Sequence, residues 1–367
     1  MDVLHQCTDE HSGEDKLTVQ ELAARRQVDG GTVQIGVYCP NMHHGIGLDA
    51  FLGRPFPPGL AISRETMAAV ADLAEELGFD ALWFGDHVLF PSHTVSPYPV
   101  VDKPHGTGVR SEEPVFDPFA VMAWLGARTK RVRLGLSVLV VPYRNPVVTA
   151  KFFASLDVLT EGRIIIGAGV GVMEEEFHAL AAPYEKRGAV TDEYLTLMRE
   201  LWMSDEPSFE GEHYTLKPGL RFLPKPVRGT IPIWIGGNTK FALHRAARLG
   251  DGWLAVYMNH DDLRDKWQLL REMAVAQGRD PAELTLAHQM RFLINDEHYP
   301  DAPPGVGPVA KVVDDVARMA QLGVQHLELA MPPGPTTEAL LTQMHRFAED
   351  VLPQLGDRDR PRAPISQ

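Results

Sequence analysis

From Val33 onward the chain alternates short β-rich runs with longer stretches of helical periodicity, about eight times over. The runs are VQIGVY from Val33, DALWFGDH from Asp80, VRLGLSVLV from Val132, RIIIGAG from Arg163, IPIWIGG from Ile231, GWLAVY from Gly252, LTLAHQMRFLI from Leu284 and HLELAM from His326. Strands that alternate with helices in this way are the pattern of parallel βα units. Six or more such units in succession favour a closed (β/α)8 barrel over an open sheet. The punctuation agrees: in SRETMAAVADLAEELGF, Ser63 can cap the start of a helix and Gly78 can end it. One domain is enough for 367 residues, 44% of them hydrophobic, because barrels of this length form a single core.

The edges read differently. Residues 1–31 are polar apart from an amphipathic piece near Leu17 to Arg26, and Gly30-Gly31 ends them, so an arm outside the fold is expected. The barrel domain is then expected over 32–355, and 356–367, with its DRDRPRAPISQ run, as a disordered tail. In βα barrels the chemistry sits on loops after the strand C-termini. Insertions fall there: Pro40 to Ile62 with Phe51 and Phe56, Val88 to Phe116 with Tyr98, and Met203 to Thr230 with a hairpin-like EGEHYTL.

Composition excludes several function classes. A formal charge of -14 repels phosphate backbones, so no nucleic-acid partner is expected. Cys7 and Cys39 are the only cysteines, too few for a disulfide framework or a cysteine zinc site, which fits a reducing cytoplasm. The N-terminus lacks a basic segment followed by an apolar run, and no stretch approaches the roughly 20 apolar residues that span a bilayer, so no membrane partner is expected. His43-His44 has no carboxylate cluster after it, and a polar loop explains it better than a metal site.

Three strand ends carry candidate chemistry. Asp86-His87 ends the second run, where histidine can exchange protons and a neighbouring carboxylate can fix its tautomer; taken alone, the pair reads first as a strand terminus that hydrogen-bonds the next loop. Gly167-Ala168-Gly169-Val170-Gly171 superficially suggests a dinucleotide loop. It lacks the full spacing, however, and Glu174-Glu175-Glu176 opens the next helix, where phosphate would be repelled. Gly236-Gly237-Asn238-Thr239 opens a helix whose N–H groups can hold an anion, with Lys240 and Arg245 close behind; a plain structural turn is the alternative. Trp83, Trp124, Trp202, Trp234 and Trp253 read as core.

LGFDALWFGDHV, TKRVRLGLSVLVVPYRNPVVTAKFFASLDVLTEGRIIIGAGVG, EEEFHAL, RGAVTDEYL, IPIWIGGN and RAARLGDGW, in this order and spacing, resemble the luciferase-like monooxygenase superfamily, above all its branch dependent on the deazaflavin coenzyme F420. The resemblance runs from about Gly78 to Trp253. It implies a TIM barrel and an oxidoreductase that moves hydride between F420 and a small to medium organic substrate, or alternatively an FMN monooxygenase fed by a separate reductase. By the same resemblance, His87 is the acid/base near the deazaflavin C5 and Asp86 belongs to the coenzyme site. Ser137-Val138 is a cis peptide supporting the ring, Val170 and Gly171 touch the ring or ribityl chain, and Gly236, Gly237, Asn238 and Thr239 bind the phosphate. Arg187, Asp192 and Glu193 brace the fourth helix, and the protein pairs as a homodimer. One departure stands out: some F420-dependent dehydrogenases carry a glutamate proton donor where this chain has Val172. A metal-dependent barrel hydrolase, which needs ligands on several strand ends, and a non-catalytic coenzyme-binding protein are the rival classes.

Overall fold

The computed structural model describes residues 27–28, 31–42, 62–90, 114–296, 301–331 and 336–355. The stretch Leu17 to Arg26, the His43-His44 pair, Phe51, Phe56, Tyr98 and the expected tail lie outside them. Each of the eight runs forms a strand: β1 (Gln34–Tyr38), β2 (Ala81–Phe84), β3 (Arg133–Val140), β4 (Ile164–Gly169), β5 (Ile233–Gly236), β6 (Gly252–Val256), β7 (Thr285–Arg291) and β8 (His326–Ala330). They pair in parallel in chain order, and β8 pairs β1 to close the barrel. Among the helices of the described residues that cover the outside are α1 (Arg64–Glu76), α2 (Pro118–Arg128), α3 (Pro146–Leu159), α4 (Arg187–Met203), α5 (Lys240–Leu249), α6 (His260–Ala276), α7 (Val309–Gln321) and α8 (Thr337–Arg346). Ser63 caps α1 by accepting from the Thr66 N–H, and Gly78 takes φ 71° just past its end. Of the insertions, 204–230 carries a minimal antiparallel pair, Phe209–Glu210 with Thr215–Leu216.

Alternate strand residues face the lumen and stack in layers. A middle layer holds Trp83, Trp234, Leu254, Ile165 and Ala287, with the Trp83 and Trp234 rings 5.6 Å apart. His326 joins it by accepting from Trp83 Nε1 at 3.0 Å. Two residues further along their strands, toward the C-terminal mouth, lie Ser137, Gln289 and Glu328, all buried. The tryptophans expected in the core are there: Trp83, Trp202, Trp234 and Trp253 are buried, and Trp124 packs partly buried against the core.

The register of β3 on β4 shifts between Leu136 and Leu139, a bulge that pushes backbone toward β4. A Cβ on Gly167 would land on the Leu136 carbonyl oxygen, and one on Gly169 would land on Val138 Cγ2. These glycines therefore make room for β3. Protein atoms of β3 fill the space that a side chain at either position would take. Gly167→Ala is expected to destabilise the fold by about 3 kcal/mol, since backbone cannot move aside as a side-chain tip can. A urea midpoint equal to that of the wild type would show that the approach is not close.

Candidate active site

His87 follows β2, and its Nδ1 lies 2.8 Å from Glu176 Oε2. Glu176 belongs to a six-residue helix, Glu174–Ala179, that follows the β4 turn; its seat is the apolar cluster of Val140, Tyr143 and Phe177. Oε2 also accepts from the Tyr143 hydroxyl at 2.6 Å, while Oε1 accepts from the N–H groups of Val88 at 2.6 Å and Leu89 at 3.3 Å. Burial alone raises the pKa of Glu176. The hydrogen bonds from His87, Tyr143 and Val88, with the His87 charge, outweigh it and hold the carboxyl below its usual value. An ionised Glu176 fixes the His87 proton on Nδ1 and leaves Nε2, which has no hydrogen-bond partner among the described residues, as the nitrogen open to exchange.

The carboxylate beside His87 in sequence does something else. Asp86 is buried and bidentate to Arg144, Oδ1 to Nη2 at 2.7 Å and Oδ2 to Nη1 at 2.8 Å, and Oδ2 also accepts from the Val140 N–H at 2.9 Å. Arg144 in turn lies over the Phe119 ring, 4.5 Å from its centroid. Asp86 thus ties the end of β2 to the end of β3. The expectation that the neighbouring carboxylate orients His87 is corrected: adjacent residues point apart at a strand end, and Glu176, 89 residues away, is the partner. Sequence reasoning read Glu176 only as a charge that repels phosphate. Its signal was present, in three glutamates opening a helix just after the β4 turn.

The Ser137-Val138 peptide bond is cis. Val138 stands half-buried at the mouth, and a Cβ on Gly236 would come within 2.5 Å of its Cγ1, so the end of β5 sits directly against the bulge. Val170 and Gly171 follow β4 nearby, half-buried, with Gly171 at φ 77° where a Cβ would strike Phe177 and Val140. Candidate residues from the ends of β2, β3, β4 and β5 therefore meet at one mouth.

The turn after β5 departs in part from expectation. Thr239 caps α5, its Oγ1 accepting from the Ala242 N–H at 3.2 Å, and the N–H groups of Lys240 and Phe241 point out of the helix start without an intrahelical acceptor. Gly237 has φ 105°, a conformation that only glycine adopts without strain, and it turns the chain from β5 into that start. Asn238 uses both ends of its amide on Val256, Nδ2 donating to the carbonyl at 2.7 Å and Oδ1 accepting from the N–H at 3.0 Å. These two bonds fix the turn and use one of the two hydrogens on Nδ2. Arg245 is buried and paired with Asp192, which also holds Arg248, so it is not the free cation behind the turn; Lys240 is exposed there. Glu193 accepts from the N–H groups of Glu212, His213 and Tyr214, and Arg187 donates to the Tyr184 carbonyl, so all three expected braces hold the region of α4.

Deeper in the lumen Ser137 joins two residues absent from the sequence reading. Gln289 Nε2 donates to Glu328 Oε1 at 2.7 Å and to Ser137 Oγ at 3.1 Å. Glu328 is fully buried, and its Oε2 has no partner of hydrogen-bonding geometry among the described residues. Burial pushes the Glu328 carboxyl up to about 8, against the opposing pull of Gln289 and the nearby Ser137 hydroxyl. HLELAM read only as a strand, because register alone decides that Glu328 faces inward. A cavity of about 490 Å³ opens at the opposite end of the barrel among Gln34, Arg133, Trp234 and Thr285. It contains none of these residues, and that face of a βα barrel reads as stability rather than catalysis.

No helix among the described residues is long and apolar enough to cross a membrane, and none of them form a group of three or more metal-ligating side chains. The molecule is thus a (β/α)8 barrel with a carboxylate-held histidine, a cis-peptide bulge and an open helix start around its C-terminal mouth. The chain belongs to the luciferase-like monooxygenase family, whose model matches residues 34–299. An uncharacterised protein of Mycobacterium tuberculosis is 30% identical over 291 residues, 77% of this chain and 93% of the relative. An F420-dependent glucose-6-phosphate dehydrogenase of Kineococcus radiotolerans is 31% identical over 255 residues, 67% of this chain and 70% of the relative. Among solved structures, an F420-dependent secondary alcohol dehydrogenase in complex with an F420-acetone adduct shares the fold with a TM-score of 0.69 at 19% identity, over 88% of this chain and 99% of that one.

Proposed function

We propose that the protein is an F420-dependent oxidoreductase that moves hydride between the coenzyme and a small to medium, partly apolar organic molecule. The observation that carries this reading is His87 with Nδ1 held by Glu176 and Nε2 open, at the same mouth as the cis Ser137-Val138 bulge. The residues fit a planar ring with an anionic chain: Val138 and Gly236 form a smooth apolar face, Val170 and Gly171 border it, and the start of α5 with Gly237, Thr239 and Lys240 offers N–H groups, a hydroxyl and a cation to a phosphate. When bound, a deazaflavin supplies a two-electron hydride carrier with little reactivity toward oxygen.

His87 is then the group that gives or takes the substrate proton through Nε2, and Glu176 holds its Nδ1 and orients the ring. Asp86 holds the β2 and β3 ends in register for that geometry through Arg144. The relatives named for F420 support this choice of coenzyme. Val172, where a glutamate donor stands in some F420-dependent dehydrogenases, speaks against a sugar phosphate as substrate. The second reading is an FMN monooxygenase served by a separate reductase, favoured by the family's own description. In either case we expect a cytoplasmic homodimer.

Titrating the purified apoprotein with F420 and with FMN tests the choice. F420 is expected to bind at micromolar or lower concentration and to support redox turnover of a responsive alcohol, aldehyde or alkene without oxygen. Binding of FMN alone, with product formed only in oxygen, would establish the monooxygenase instead.

A further inference from the structure

Glu328 is, among the described residues, the one carboxyl in the lumen layer beneath the cis-peptide bulge, and it is placed at a cost. A buried polar atom without a partner is uncommon, and each case calls for a reason. A structural plug would satisfy both oxygens, whereas Oε2 of Glu328 is left without a hydrogen bond among the described residues.

The hydrogen-bond polarity around it can be worked out. The Gln289 amide nitrogen carries two hydrogens, and both are used, one on Glu328 Oε1 and one on Ser137 Oγ. Ser137 Oγ is therefore an acceptor in this chain and keeps its own hydrogen to donate. Only two directions matter for that hydrogen: back toward the Glu328 carboxyl, or out toward whatever lies on the bulge formed by Ser137 and Val138. A carboxylate in a dry lumen attracts it strongly, and a neutral carboxylic acid does so weakly.

We propose that Glu328 is a positioning residue of the coenzyme site: a proton held on its carboxyl leaves the Ser137 hydroxyl free to donate a hydrogen bond to the coenzyme ring, and loss of that proton withdraws it. This rests on the coenzyme reading above. The elements packed around Glu328 bring Tyr38 on β1, Arg133 on β3, His288 and Arg291 on β7 and His326 on β8. Burial holds both histidines neutral, down to about 3, so neither changes charge in alkaline solution, and Glu328, raised to about 8, does.

The test is the dissociation constant of F420 and of FMN, measured by fluorescence titration from pH 6.5 to 9.5, for the wild type, Glu328→Gln and Ser137→Ala. Glu328→Gln keeps a neutral side chain of the same shape at every pH. Any ionisation of the coenzyme itself is common to all three proteins, so the comparison between them is what counts. Wild-type affinity is expected to fall about three- to tenfold more than that of Glu328→Gln across this range, as one hydrogen bond is lost. Ser137→Ala is expected to bind at all pH values as weakly as the wild type does at pH 9.5, with the Glu328 dependence gone, and it stands in if Glu328→Gln does not fold. Identical pH profiles in wild type and variant, with binding intact, overturn the proposal alone. If the wild type binds neither coenzyme, the functional reading fails and the proposal fails with it.

Discussion

His87→Ala is expected to lower turnover by about 10²- to 10⁴-fold while leaving the coenzyme dissociation constant within a few-fold, as befits a group that acts on the reacting proton. The split between kcat and binding is the informative part. His87 contributes a proton through Nε2, and its ring packs against Phe90 at 4.7 Å, so the alanine variant removes chemistry and little of the wall that receives a ring. Glu176→Gln is expected to fall between the wild type and His87→Ala. It keeps the shape and loses the charge that fixes the Nδ1 proton. The measurement is steady-state F420 redox kinetics on a responsive substrate, with pre-steady-state traces to confirm that chemistry limits the rate. Turnover unchanged in His87→Ala, with chemistry rate-limiting, removes His87 from the mechanism.

The second large effect is on stability against pH, and three buried groups set it. His326 and His288 are each depressed to about 3, by burial first and then by nearby positive charge. Their hydrogen bonds agree with neutral rings: His326 Nε2 accepts from Trp83, and His288 Nε2 accepts from the Met258 N–H at 3.1 Å. A histidine whose folded pKa is lowered contributes stability present above its unfolded value of 6.5 and lost as pH falls toward 3. Glu328 runs the other way. Its folded pKa of about 8 exceeds the unfolded 4.5, so its contribution is full below 4.5 and is lost as pH rises through 8.

Between pH 4.5 and 6.5 two histidines oppose one glutamate, and the net effect is a rise with pH. Above 6.5 only the fall remains. Stability to urea is therefore expected to peak near pH 6.5 and to drop by about 2 kcal/mol by pH 8, at about 1.4 kcal/mol per pH unit for one proton. For a domain of ordinary stability that is a large share. Glu328→Gln should abolish the alkaline limb and leave the acid one. A wild-type plateau from pH 6.5 to 9 would mean that Glu328 is already ionised at neutrality or reaches water.

The eight strands and the capped start of α1 were legible because their signals are local: apolar runs of strand length, a serine before an amphipathic stretch and a glycine after it. The place of His87, at the end of a strand and thus at the mouth of a barrel, followed from the same pattern. The cis bond at Ser137-Val138 was reachable only by resemblance, since no local residue pattern marks it.

Partner choice was not legible in the sequence. Asp86 adjoins His87 in the chain yet goes to Arg144, while Glu176 reaches His87 across 89 positions. Arg245, in the helix behind the expected phosphate turn, is taken by Asp192, and the Asn238 amide is tied to the Val256 backbone. Ser137, Gln289 and Glu328 lie on three strands and meet only because the barrel closes. The amino-acid sequence by itself determined the repeating unit, the barrel it builds and the strand ends that carry polar side chains, because backbone periodicity is set within a few residues. The tertiary structure decided which carboxylate serves the histidine, which cation stays free and which glutamate is sealed in the lumen. Those outcomes depend on register and closure, which bring distant charges within about 3 Å of one another and shut out the water that would otherwise level their differences.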